Sequence, residues 1–206
     1  MQKHTLVSAR IIETNIKLQV MKLLKAVQYE LGYTELKQIN AGKSPFITQH
    51  IIPPAHRFGQ AAIPAVLIGF YSYSQSGITA AANVLQKPLP FNWISELFNN
   101  ATPDLLVRIA TYAQVQHPES FLLSRLQDIA YEVIRSIKKH LGPRAKPLNV
   151  RQYLATQKKD ILKYLPSALS LDILLNDPSL CTTVASQEKP QNLHYILGDN
   201  FPGTIH

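Results

Sequence analysis

The sequence predicts an all-α protein: a compact multi-helix bundle of roughly six to eight helices with an irregular C-terminal tail. Three observations carry this. Apolar residues recur at steps of three and four in one segment after another, proline and glycine punctuate the ends of those segments, and no stretch alternates apolar and polar residues as a strand would. With 206 residues, 46% of them hydrophobic and 17% charged, the chain has the balance of a folded globular protein. That length buries a core without help from a metal or a disulfide.

The first helix is expected from Ile11 onward, with Lys17, Lys22 and Lys25 between its apolar positions. The stretch "MQKHTLVSARIIETNIKLQVMKLLK" lacks the continuous apolar core and small-residue cleavage site of a secretory signal, and Glu13 and Glu30 argue against an arginine-rich targeting helix. "FGQAAIPAVLIGFYSYSQSGITAAANVLQ", from Phe58 to Gln86, follows without a single charged side chain. A membrane-spanning helix needs about 20 predominantly apolar residues. Here the dense run covers only Ala61 to Tyr71 before Ser72, Ser74, Gln75, Ser76 and Gly77 intervene. Ile63, Val66, Leu67, Phe70, Tyr73 or Ser74, Ile78, Ala81, Val84 and Leu85 form a helical stripe, so the segment reads as a buried helix with a break near Gly77. Pro64 bends or begins that helix by removing a backbone donor.

Next, "NATPDLLVRIATYAQVQ" places Thr102 as a cap, Pro103 at the first helical position and Asp104 just behind it. "HPESFLLSRLQDIAYEVIRSIKKHLG" starts at Pro118 and Glu119 and runs Phe121, Leu122, Leu126, Ile129, Val133 and Ile137 along one face. It ends at Gly142, with Lys138, Lys139 and His140 in the last turn. "NVRQYLATQKKDILKYLP" opens with Asn149 and Gln152 at capping-box spacing, carries Val150, Tyr153, Leu154, Ile161, Leu162 and Leu165 on its apolar face, and ends at Pro166. Shorter helices are expected at "NWISELFN", "LSLDILLN" and "DPSLCTTV". Residues 1–180 are expected to form one helical domain, or two packed halves at 1–86 and 91–180, followed by an irregular tail at 181–206.

The formal charge of +8 is concentrated. Between Arg135 and Lys163 stand nine bases, Arg135, Lys138, Lys139, Arg144, Lys146, Arg151, Lys158, Lys159 and Lys163, against one acid, Asp160. The remaining residues hold twelve bases and twelve acids and sum to zero. Such a segment is a candidate site for nucleic acid or another polyanion, including an anionic surface, and its plainer role is a solvated helix–loop–helix face.

No catalytic, cofactor or metal site is expected. His50 and His56 flank "IIPPA" without a Cys, Asp or Glu nearby to complete a ligand set. Ser136 and Lys139 have S-x-x-K spacing, but the accompanying motifs of acyl-transferring enzymes are missing. Cys181, the single cysteine, follows Asp177 and Pro178 and is expected to be small and buried rather than reactive. It forms no internal disulfide, as suits a reducing cytoplasmic setting.

Two stretches, "AIPAVLIGFYSYS" at 62–74 and "LNVRQYLATQKKDILKYLPSALS" at 148–170, together resemble the bacterial family of unknown function typified by YidB. The similarity spans roughly residues 17–175 in apolar patterning. The chain departs from it in having fewer glycines and a heavier basic load at 135–163. The resemblance implies an all-helical protein with no catalytic residues to carry over. The expected function is a non-enzymatic module that binds a protein partner or itself, with polyanion binding as the alternative and an unrecognised enzyme third.

Overall fold

A computed structural model describes residues 22–39 and 52–181. The described chain is all-α: α1 (Leu23–Glu30), α2 (Pro54–Gln75), α3 (Ile78–Gln86), α4 (Trp93–Phe98), α5 (Thr102–Ala113), α6 (Glu119–Leu141) and α7 (Pro147–Leu162), then a single turn, α8 (Leu171–Leu174). Short 3-10 turns lie at Asn99–Ala101, Ser167–Leu169 and Pro178–Leu180, and no strand occurs among the described residues. The expected C-terminal tail and the part of the first helix before residue 22 lie outside the described residues.

The uncharged run forms the axis of the fold. Every residue of α2 from Gly59 to Phe70 is buried, so the helix is sheathed on all sides by α1, α3, α4, α5, α6 and α7. A helix apolar all round has to be enclosed in this way. Among the described residues no helix is long and apolar enough to cross a membrane. The helix stops where expected, at Ser76 and Gly77, and α3 begins at Ile78. Ile78 itself departs from the expected stripe and is 53% exposed, because the first residue of α3 sits at the rim of the packing.

Small residues let the neighbours approach. A Cβ on Gly69 would stand 2.7 Å from Phe98 Cζ, and one on Gly59 would stand 2.6 Å from Tyr33 Cδ1. Trp93, fully buried at the start of α4, packs against Phe70, Phe91 and Tyr73 with ring centroids 5.4, 5.0 and 6.2 Å away. These offset and edge-on contacts suit aromatic quadrupoles.

Two helix starts differ from the sequence reading. Thr102 is already helical and its hydroxyl donates to the Asn99 carbonyl at 2.9 Å, while the preceding 3-10 turn leads the chain into α5. α7 starts three residues earlier than expected, with Lys146 rather than Asn149 at the cap and Pro147 in the first turn. Asn149 accepts from the Lys146 N–H at 2.8 Å and donates its own N–H to the Lys146 carbonyl at 2.9 Å. Pro147, preset for a first turn, follows the Lys146 cap, which leaves Asn149 inside that turn. α6 begins after Pro118 and ends at Gly142, whose φ of 76° and N–H bond to the Lys138 carbonyl fit the expected stop. Phe121, expected in the core, is 48% exposed in the first turn of α6. "DPSLCTTV" contributes only the 3-10 turn Pro178–Leu180 before the described residues end, with Asp177 accepting from the Ser179 N–H at 3.0 Å.

Candidate functional site

The basic segment occupies the end of α6, the turn after it, and both flanks of α7. On one flank Asp160 accepts from Lys163 and Lys22, each at 2.6 Å, and these hydrogen bonds hold its carboxyl below the usual carboxylate range. On the other flank Arg151 and Lys158 face the C-terminal end of α2. The Arg151 carbonyl accepts from Gln75 at 3.1 Å, and Lys158 lies 4.8 Å from the Tyr71 ring centroid while donating to Ser179 at 2.6 Å. Lys139 faces Glu30 at 3.8 Å and Arg135 faces Glu132 at 3.4 Å. Lys138, Arg144, Lys146 and Lys159 make no ion pair among the described residues, and all but half-buried Lys138 are exposed. His140 stacks on Tyr153 at 4.3 Å, and burial pushes the Tyr153 phenol up to about 12.

The other sequence candidates stay apart. Ser136 donates to Glu132 at 3.2 Å while Lys139 reaches toward Glu30, so the S-x-x-K pair does not assemble. His56 is half-buried in α2, and His50 lies outside the described residues. No group of three metal-ligating side chains forms among the described residues. Cys181 is exposed rather than buried, because it follows the end of a 3-10 turn at the edge of the described chain.

A groove that the sequence did not announce lies on the outer side of α6. The irregular segment 87–92 lies against that helix, and Gln127 fastens it there, donating to the Phe91 carbonyl at 2.6 Å and accepting from the Ile94 N–H at 3.3 Å. Between them opens a cavity of about 420 Å³. Pro90, Phe91 and Asn92 form one wall, and Leu123, Gln127 and Tyr131, with Ser120 and Ser124, form the other. None of these side chains carries a formal charge. Leu123, Gln127 and Tyr131 recur at steps of four, the one sequence signal of a continuous wall, but only the proline-bearing segment lying against it turns that wall into a groove.

Tyr131 also lines a second, smaller cavity of about 220 Å³, together with Leu31, Tyr33, Arg125, Asp128, Ile129 and Arg135. Here Arg125 Nη2 donates to the Tyr33 hydroxyl at 3.2 Å, and its Nη1 lies 4.0 Å from Asp128. Burial raises the Tyr33 pKa, with Arg125 acting in the opposite sense, so the phenol stays protonated at neutral pH.

A polar network fixes the base of segment 87–92. Glu96 accepts from Tyr73 at 2.5 Å and from Lys87 at 3.0 Å, while Asn83 donates to the Tyr73 hydroxyl at 2.9 Å. Lys87 also stands 3.8 Å from the Phe91 ring centroid. The hydrogen bond from Tyr73, then that from Lys87, draws the Glu96 carboxyl below its ordinary value.

No family model matches the chain, and neither a curated protein nor a solved structure does. The likeness to the YidB-like family therefore rests on the quoted apolar patterns alone.

Proposed function

We propose that the chain is a non-enzymatic helical binding module whose groove between segment 87–92 and α6 receives an apolar side chain from a protein partner. One observation carries this reading: an open, uncharged cavity of about 420 Å³ stands at the surface of a frame held rigid by Gln127 and the Glu96 network. Sites of this size, mostly apolar with a few hydrogen-bonding groups, suit an apolar anchor. Its rim supplies Ser120, Ser124 and Asn92 to orient what enters. A formal charge of +8 repels a second copy, which favours a different partner over self-assembly. The divergence of Ser136 and Lys139 supports the non-enzymatic part of the reading, and the likeness to YidB agrees with it at family level. A cytoplasmic location fits the single cysteine.

The neutral apolar dye N-phenyl-1-naphthylamine tests the groove, because Trp93, the chain's one tryptophan, lies behind Phe91 and reports on it. Saturable, single-site binding with quenching of Trp93 is expected, and it should be lost in Leu123→Glu with an unchanged helical spectrum. Equal binding by the wild type and that variant, or no binding by either, sinks the reading.

A second reading, polyanion binding through Arg135–Lys163, is favoured by the absence of ion pairs at Lys138, Arg144, Lys146 and Lys159 among the described residues. DNA or RNA affinity should then fall steeply with salt and collapse when Lys138, Lys139, Lys158 and Lys159 become glutamate. A flat salt response removes this alternative.

A further inference from the structure

Two arginines stand in the cavity next to the groove, and the groove itself has no charge to attract them. Arg125 spends one N–H on the Tyr33 hydroxyl, and Asp128 at 4.0 Å is beyond hydrogen-bond reach of its Nη1. A guanidinium carries five N–H donors, so most of the fork remains available. Arg135 donates one N–H to Glu132 at 3.4 Å, its side chain is 65% exposed, and the rest of its fork is open to solvent. The Tyr33 oxygen accepts from Arg125, which leaves its own proton to donate. Three donor groups thus surround a cavity of about 220 Å³ whose lining includes one acid, Asp128. Tyr131 is common to both cavities, so they are neighbours on α6.

From this juxtaposition, and resting on the groove reading above, we infer that the partner is an acidic peptide segment: it seats a large apolar side chain in the groove and a neighbouring carboxylate between Arg125 and Arg135. A planar guanidinium fork matches a carboxylate with two parallel hydrogen bonds. A nucleic acid fits this surface less well, since its phosphate backbone would have to track the uncharged wall of Phe91, Leu123 and Tyr131. The chain's net positive charge draws an acidic partner toward it before contact.

Selection of a random peptide display library on the full chain tests the inference. The expected consensus pairs Phe, Leu or Trp with Asp or Glu a few positions away. A fluorescent copy of the selected peptide should lose affinity about tenfold when its acid becomes the amide, and as much against Arg135→Glu. Exchanging the peptide's acid for lysine should restore binding to Arg135→Glu, a rescue that an unfolded variant cannot give. A consensus without acids, or an acid-to-amide change with no effect, overturns the inference. If the neutral dye still binds in the groove, the functional reading survives that failure. Loss of dye binding as well would remove both.

Discussion

The side-chain amide of Gln60 pairs with both backbone polar groups of Lys37: its Oε1 accepts the Lys37 N–H at 2.8 Å and its Nε2 donates to the Lys37 carbonyl at 2.9 Å. The same Nε2 donates to the Tyr164 carbonyl at 2.7 Å. Gln60 is 1% exposed, so this one amide ties the extended segment 33–39 and the end of α7 to the buried face of α2. A buried amide in an apolar helix is tolerated because its donors and acceptor are occupied.

Truncating that amide should therefore cost more than its volume suggests. Gln60→Leu leaves the Lys37 and Tyr164 backbone groups without their partner, and a loss of roughly 2–4 kcal/mol is expected. Gln60→Glu should be worse, since a carboxylate places an acceptor against two carbonyls. Urea unfolding monitored by helical circular dichroism measures both, and equal stability of Gln60→Leu and the wild type would show that water replaces the amide.

The two close glycines of α2 should respond differently to alanine. At Gly69 the added methyl meets the Phe98 ring, itself 3% exposed and closed in by the core, so overpacking of about 1–3 kcal/mol is expected. At Gly59 it meets Tyr33, whose ring is only partly buried and has solvent on one side into which to give way. There the helix-propensity gain of about 1 kcal/mol offsets much of the clash. Thermal melts of the two variants decide the order, and Phe98→Leu should relieve Gly69→Ala but leave Gly59→Ala unchanged.

What could be read in advance follows the reach of each interaction. The break at Gly77 and the stop at Gly142 are local backbone events, written within a few residues, and the structure has both. Asn149 stands inside the first turn rather than at the cap because Pro147, preset for that turn, starts α7 earlier, while Thr102 is already helical because the 3-10 turn before it leads the chain into α5. Periodicity located the centre of each buried stripe but not its width, so the edge residues Ile78 and Phe121 fell on the wrong side. The pairings of Lys139 with Glu30 and Asp160 with Lys22 join residues more than a hundred positions apart, and the groove needs segment 87–92 laid against α6. Neither has a local signature. The bridging role of Gln60 was equally invisible, since inside an apolar run it reads only as a polar interruption.

Acid should loosen the junction of α2, α3 and α4. The Glu96 carboxyl sits below its ordinary 4.5 because Tyr73 and then Lys87 hydrogen-bond to its charged form. A group with a lowered folded-state pKa adds stability that is fully present above its unfolded value and lost as pH falls through the folded value. Glu96→Gln should cost about 1–2 kcal/mol near neutrality and flatten the acid limb of the stability curve. Asp160, lowered in the same direction by Lys163 and Lys22, should keep part of that limb. Denaturation midpoints across the acid range test this, and an acid limb identical in Glu96→Gln and the wild type would assign the dependence to other carboxylates.

Alkali should act through two tyrosines. Burial pushes Tyr112 and Tyr153 up to about 12 from an ordinary 10.0, because each phenolate would have to form away from water. Raised folded-state values contribute stability that is complete below pH 10.0, the unfolded value, and drains away as pH climbs toward about 12. Tyrosinate absorbance should therefore rise in two stages, with these phenols ionising late and together with loss of helix. Tyr153→Phe keeps the ring stacked on His140 at 4.3 Å in the parent geometry, so it should be neutral within about 0.5 kcal/mol at pH 7 yet weaken the alkaline fall. If all phenols ionise before the helical signal changes, the Tyr153 hydroxyl is reached by water in the folded chain, and the face that α7 turns toward His140 is open rather than packed.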